Sequence, residues 1–236
     1  MMTFNFLDNA SKDKGFSLIA LIDPDKKNDS KLDKILSKIQ KSRFNVIFIG
    51  GSKIADNHFS KRVKYIKSKT NLPIILFPGS SNQISEHIST MLYLNLISGR
   101  NPKYLIEEQV KGAIKINQLS IKTIPTAYIL LNGGGSTSVE LVSNTKPLSM
   151  LDKENVLSHA LAGQFMGNDL VYFDCGSGSS NSMNLDLLKH ISSNIEIPII
   201  VGGGIDSYSK AIELSNCGAS YVVIGNALEN EEYVED

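Results

Sequence analysis

The chain has 236 residues, 42% of them hydrophobic, and 24 basic side chains balance 24 acidic ones, so its formal charge is zero. That balance excludes the basic face of a nucleic-acid binder, and no run approaches the roughly 18 apolar residues of a membrane-spanning helix. Two cysteines, Cys175 and Cys217, have neither metal-ligand spacing nor a partner set, which points to a reducing compartment, the cytoplasm.

Short apolar runs alternate with helical patterns along the whole chain. The segment 16–22 follows Lys12 and Lys14 as a signal peptide would. Asp23-Pro24-Asp25 then stands where a small-residue cleavage site belongs, so the segment reads as a first strand. Residues 31–42 place Leu32, Ile35, Leu36 and Ile39 on one helical face. A second strand covers 46–49 and ends at Gly50-Gly51-Ser52, with a helix over 58–68. A third strand, 73–77, ends at Pro78-Gly79. The fourth, 91–97, precedes a longer helical region through 104–117. The fifth strand, 126–131, leads into a long Gly/Ser-rich loop, 132–150, then a helix over 152–166. The last repeats read as strand 170–173, helix 185–192, strand 197–201, helix 207–216 and strand 221–224.

Strands alternating with helices predict a parallel sheet. Eight of them point to closure as a (β/α)8 barrel in a single domain, 1–236, close to the typical length of about 250 residues. A doubly wound open sheet is the alternative, because periodicity does not register closure. In a barrel, the active-site loops follow the C-terminal ends of the strands.

Three glycine segments occupy such positions: YFDCGSGSS (172–180), VGGGI (201–205) and YVVIGNA (221–227). Glycine there permits positive φ and close approach of the backbone to a ligand, and amides opening a helix form an anion site. Three such loops from consecutive strands suggest a cup for one phosphate monoester. They identify a ligand group, not a reaction.

Asp23 follows strand one and Ser52 follows strand two, which makes them neighbours on one rim. A carboxylate and a hydroxyl completed by substrate phosphates suit Mg2+, which keeps few protein ligands. The plainer reading of Asp23-Pro24-Asp25 is a turn leading into a helix. Asp174 ends strand six on the same face as Tyr172. It suits a general base or a ligand for a substrate hydroxyl, or a cap on the next helix. His58, His87, His159 and His190 are scattered without a metal-binding pattern. Cys175 lacks a nearby histidine to make it a nucleophile. The charges at Lys26-Lys27 and across 61–69 read as solvated helix faces. Gly133-Gly134-Gly135 and the following Ser136-Thr137-Ser138 offer either a diphosphate loop or a mobile one.

Taken together, LIDPDK (21–26), FIGGS (48–52), LFPGSSNQIS (76–85), SGRNPKYLI (98–106), GGGSTSVELVSNTKP (133–147), YFDCGSGS (172–179), VGGGI and IGNALE (224–229) resemble the geranylgeranylglyceryl phosphate synthase family. These are (β/α)8 prenyltransferases related to the heptaprenylglyceryl phosphate synthases. The similarity runs in matching order from about residue 16 to 229. With no lysine just before the first aspartate, the chain is closer to the archaeal and Bacteroidetes-type branch.

The resemblance implies an ether bond formed between sn-glycerol 1-phosphate and geranylgeranyl diphosphate, with diphosphate released. It places Mg2+ on Asp23 and Ser52. It places the glycerol phosphate on Tyr172, Phe173, Asp174, Cys175, Gly176, Ser177, Gly178, Gly203, Gly204, Gly225 and Asn226. Asp174 is the expected base, assisted by Tyr172. The family usually has glutamate at the position of Asp174, one methylene longer. An apolar groove for the prenyl chain is expected around 93–104 and the helix that follows, with Tyr104 as its stop. Dimers or hexamers are expected, with at most peripheral membrane contact. A phosphosugar isomerase or lyase on the same scaffold would need strand-end Asp or Lys acid/base pairs suited to a sugar phosphate, whereas the rim pair here is Asp23 and Ser52 with no strand-end lysine opposite. A heptaprenyl donor or a non-catalytic phosphoglycerol-binding barrel remain the alternatives.

Overall fold

In the computed structural model, which describes residues 15–236, alternate side chains of each strand face two different cores. Ile19, Phe48, Leu92, Tyr128, Tyr172 and Tyr221 fill the interior of a barrel. Ile47, Ile49, Ile129, Phe173, Val201 and Val222 face outward into the layer beneath the helices. Lys12 and Lys14, and with them the start of the 1–236 domain, lie outside the described residues.

The strands are β1 (Ser17–Ile22), β2 (Val46–Ile49), β3 (Ile74–Leu76), β4 (Thr90–Leu96), β5 (Lys122–Leu130), β6 (Leu170–Asp174), β7 (Ile199–Gly202) and β8 (Tyr221–Ile224). All pairs are parallel and run in sequence order, and β8 pairs with β1 to close the barrel. Closure rules out the open-sheet alternative. The helices are α1 (Leu32–Lys41), α2 (Phe59–Ser68), α3 (Glu108–Gln118), α4 (Ser138–Ser143), α5 (Lys153–Phe165), α6 (Leu185–Ser192), α7 (Tyr208–Asn216) and α8 (Asn226–Glu229). None of the helices among the described residues is long and apolar enough to cross a membrane.

The structure departs from the sequence-based expectation chiefly at two places. Strand β5 begins at Lys122, four positions before the expected start, because Pro125 sits inside it. A proline usually stops a strand by removing a donor. Here it pairs in register with Tyr93, and its carbonyl accepts from Asp169 N at 2.9 Å. The expected loop 132–150 contains α4. Thr137 Oγ1 accepts from Glu140 N at 3.1 Å and Glu140 accepts from Thr137 N at 3.4 Å, a capping box that starts the helix. Between β3 and β4, where the sequence pattern likewise shows no helix, only the 3-10 turn Ser81–Gln83 is present, so the regular repeat lacks one helix there. A π-helical turn, Lys103–Glu107, then leads into α3.

Candidate active site

The C-terminal ends of the strands surround one cavity of about 790 Å3. Asp23, Ser52, Tyr172, Asp174, Gly176, Ser177, Gly178, Gly203, Gly204, Gly225 and Asn226 all line it, so the rim brings together residues from opposite ends of the sequence. Its floor is an aromatic stack. Phe77 lies 5.1 Å from Tyr172, and Tyr172 lies 5.3 Å from Tyr128, ring centre to ring centre. Phe173 and Cys175 are the exceptions among the expected ligands. Alternation turns both side chains outward into the core under the helices, and burial pushes the Cys175 thiol up in pKa.

The three glycine loops interlock. Gly203 has φ +87°, and a Cβ there would stand 2.8 Å from both Gly176 N and Gly176 O. Only glycine lets the β7 loop close on the β6 loop at that distance. Ser177 Oγ donates to Asn226 Oδ1 at 2.6 Å and ties the β6 loop to the β8 loop. The result is a concave lining of backbone amides and small polar groups.

Asp174 stands at its edge, nearly buried. One carboxylate oxygen accepts from Gly176 N at 2.7 Å, and the other accepts from the Tyr128 hydroxyl. Burial raises the Asp174 pKa, and these two donors partly offset it. Burial also raises Tyr128 and Tyr172 well above the usual phenol value, so both stay protonated. Tyr128 is a site residue that the sequence reading missed. It faces Tyr172 in the β5–β6 register, a relationship visible only after the strands pair.

The β1 and β2 loops form the opposite edge. Asp23 Oδ2 pairs with Lys27 Nζ at 2.9 Å, and Lys27 lies 3.8 Å from Glu229 Oε2. Asp23 N also donates to Glu229 Oε1 at 3.4 Å. Asp23 Oδ1 is buried and has no hydrogen-bond partner among the described residues. Burial raises the Asp23 pKa, and Lys27 counters it. Lys27 is exposed, as expected of a solvated charge, and its ammonium also pairs with Asp23 at the edge of the site. The loop before Ser52 is held by buried Gln83, whose Nε2 donates to Gly51 O at 2.6 Å and whose Oε1 accepts from Gly51 N at 3.2 Å. Gly133, Gly134 and Gly135 do not line the cavity. Instead, Gly133 O accepts from Asn181 N at 3.0 Å and braces the β6 loop from behind.

From this rim the cavity continues down the barrel wall into the space left by the missing helix. Its lining passes from Tyr104 and Val142 to Met91 and Ile84, and to Gly112 and Ile116, two and three turns further along the π turn and α3. Tyr104 lines this groove. Its hydroxyl donates to Val142 O at 3.2 Å, fastening α4 over the opening.

Comparison with known proteins agrees with this arrangement. The model of the PcrB family matches residues 10–236. A geranylgeranylglyceryl phosphate synthase from Flavobacterium johnsoniae is 41% identical over 227 residues, covering 96% of this chain and 93% of that one. One from Thermoplasma volcanium is 35% identical over 217 residues, covering 92% and 85%. The crystal structure of (S)-3-O-geranylgeranylglyceryl phosphate synthase from Thermoplasma acidophilum, in complex with sn-glycerol-1-phosphate, superposes with a TM-score of 0.89 at 31% identity, covering 97% of this chain and 92% of that one.

Proposed function

The chain belongs to the PcrB family, and from that premise we propose that it joins sn-glycerol 1-phosphate to geranylgeranyl diphosphate, forming an ether and releasing diphosphate. The observation that carries this reading is the continuity of a single cavity. A glycine-lined cup, a buried carboxylate and an apolar groove meet at the ends of β1, β2 and β6 to β8. A phosphate monoester, a hydroxyl to be deprotonated and a long hydrocarbon match those three parts.

In the proposed reaction, amides of the β6, β7 and β8 loops hold the glycerol phosphate, so an oriented encounter replaces a random one. Its free primary hydroxyl lies toward Asp174. The hydroxyl oxygen bonds to the allylic carbon of the donor as the carbon–oxygen bond to diphosphate breaks. The hydroxyl proton passes to Asp174, and the electron pair leaves with diphosphate. Tyr128 and Gly176 N hold the Asp174 carboxylate from behind, which supports the role of base despite the shorter side chain. Tyr172 forms the floor beneath the reacting groups.

The donor set at the opposite edge fits Mg2+. Asp23 Oδ1 is buried with no partner among the described residues, and Ser52 lines the same cavity. Among the described residues no three His, Cys, Asp or Glu side chains gather as a metal cage, in keeping with an ion that takes one or two carboxylates and completes its shell with water and phosphates. Mg2+ bound by Asp23 and Ser52 would offset the charge gathering on diphosphate.

The test is diphosphate release by purified protein with Mg2+, sn-glycerol 1-phosphate and prenyl diphosphates of fifteen to thirty-five carbons. Release peaking at twenty carbons and requiring both Mg2+ and sn-glycerol 1-phosphate supports the proposal. A thirty-five-carbon optimum replaces the donor, and protein that binds glycerol phosphate but turns over no donor overturns the enzyme reading.

A further inference from the structure

Arg62 lies in α2, within the stretch 61–69 that the sequence presents as a solvated charged face. Its side chain is only 8% exposed, and it uses all five of its N–H donors. Nε and Nη2 donate to the two oxygens of Asp29. Nη1 and Nη2 donate to the two oxygens of Asp56, at 2.7 and 2.8 Å, and Nη1 also reaches Pro24 O at 3.4 Å. One planar guanidinium therefore grips the segment after β1 at Pro24 and Asp29, and the segment after β2 at Asp56. Asp25 adds a second tie between the same segments, since its Oδ2 accepts from Ala55 N at 2.6 Å and its Oδ1 from Lys27 N at 3.1 Å. These two segments begin with Asp23 and carry Ser52.

We propose that Arg62 is the positioning residue for the diphosphate edge of the site: by clamping both segments it fixes Asp23 relative to Ser52 without itself touching substrate. The inference rests on the reading of Asp23 and Ser52 given above. Arg62 does not line the cavity, which separates its role from that of a ligand. Its hydrogen bonds hold Asp29 and Asp56 below the usual carboxylate range, so the clamp stays ionised across the pH range in which an enzyme works. Lysine cannot replace it fully, because a single ammonium does not fork two carboxylates at once. The β6, β7 and β8 loops are held by separate contacts, among them Ser177 to Asn226. The clamp itself therefore grips one edge of the site, and its link to the other runs only indirectly, through Asp23 and Lys27 to Glu229 of α8.

The experiment compares the parent with R62A, R62K, D56N and D23N. Calorimetry measures binding of Mg2+ with inorganic diphosphate and, separately, of sn-glycerol 1-phosphate. Diphosphate release gives KM for the prenyl donor. The expected result is at least tenfold weaker Mg2+–diphosphate binding and a matching rise in donor KM for R62A. Glycerol phosphate affinity stays within twofold, and R62K recovers part of the loss. D56N, which leaves Arg62 paired with Asp29, moves the same way by less, and it decides the matter should R62A fail to fold. Mg2+–diphosphate binding unchanged in R62A and D56N, but lost in D23N, overturns the positioning role. So does an equal loss of glycerol phosphate binding, since Arg62 would then hold the whole barrel. Binding unchanged in D23N as well overturns the reading of Asp23 and Ser52, and this inference with it.

Discussion

Tyr128 donates its phenolic hydrogen to Asp174 across the β5–β6 pair, while Gly176 N serves the other carboxylate oxygen. The base of the proposed reaction is therefore buried and held on two sides. Its pKa is raised by burial and pulled back by its two donors. The ionised form takes the proton, so turnover falls as pH drops through that raised value. Phenylalanine at 128 removes a donor that favours the charged form, so the acid limb of the pH–rate profile of Y128F lies at higher pH than that of the parent. An acid limb that stays in place removes Tyr128 from the control of Asp174.

Asparagine at 174 separates chemistry from stability. A general base contributes about 10²- to 10⁴-fold, so D174N is expected to lose that much turnover while binding sn-glycerol 1-phosphate nearly as the parent does. The stability effect has the opposite sign. A carboxyl whose folded pKa is raised gives its full stability only below its unfolded pKa, and loses it as pH rises through the folded value. D174N has nothing to ionise. Its melting temperature relative to the parent therefore rises from pH 4 to pH 8. A variant that grows less stable than the parent over that interval contradicts the burial-raised pKa.

The glycine cup is tested at Gly203. Alanine there meets both a positive φ and the Gly176 backbone at 2.8 Å. A non-glycine residue in such a conformation costs of order 1–3 kcal/mol before the clash is counted. G203A should therefore lower the melting temperature and weaken glycerol phosphate binding more than tenfold in calorimetry. Binding of Mg2+ with diphosphate at the other edge should stay close to that of the parent.

Much of this was legible because local chemistry and fold agree. Val46–Ile49, Leu185–Ser192 and Tyr221–Ile224 fall where their patterns place them, since apolar runs bounded by glycine or polar residues have few other options. The rim residues were legible because glycines and acids at strand ends have few structural uses. What escaped was set by distant partners. Pro125 brings no ladder donor, yet its pairing with Tyr93 on one side and the bond from Asp169 N on the other hold it in β5. Tyr128 looks like any core aromatic until it pairs with Tyr172. Arg62 looks solvated, because a charge on a helix carries no sign of the carboxylates that separate loops bring to it.

The cover over the groove is tested at Thr137. It caps α4 by accepting from Glu140 N, and its methyl packs against the Gly176 backbone. Loss of an N-cap costs about 1 kcal/mol, which falls on a helix of only six residues. T137A should expose the amides of 138–143 to faster hydrogen exchange, while T137S, which keeps the cap, should protect them. Equal exchange in the two variants would assign the effect to the lost methyl group and not to the cap.

The length of the donor should be set where α3 comes closest to the wall of the groove. At Gly112 a Cβ would stand 3.0 Å from Ile84 Cδ1 and 3.5 Å from Ile116 Cδ1, and all three residues line the cavity. A larger side chain there fills space that a prenyl tail would otherwise occupy. Glycine within a helix is about 1 kcal/mol less favourable than alanine, so replacing it strengthens the helix backbone even as it crowds the groove. G112L is therefore expected to fold and to bind glycerol phosphate normally. Its donor optimum should shift to shorter prenyl diphosphates in the diphosphate-release assay, with the loss greatest for the longest chains. An unchanged donor profile in folded G112L would mean that the hydrocarbon follows a different wall of the barrel.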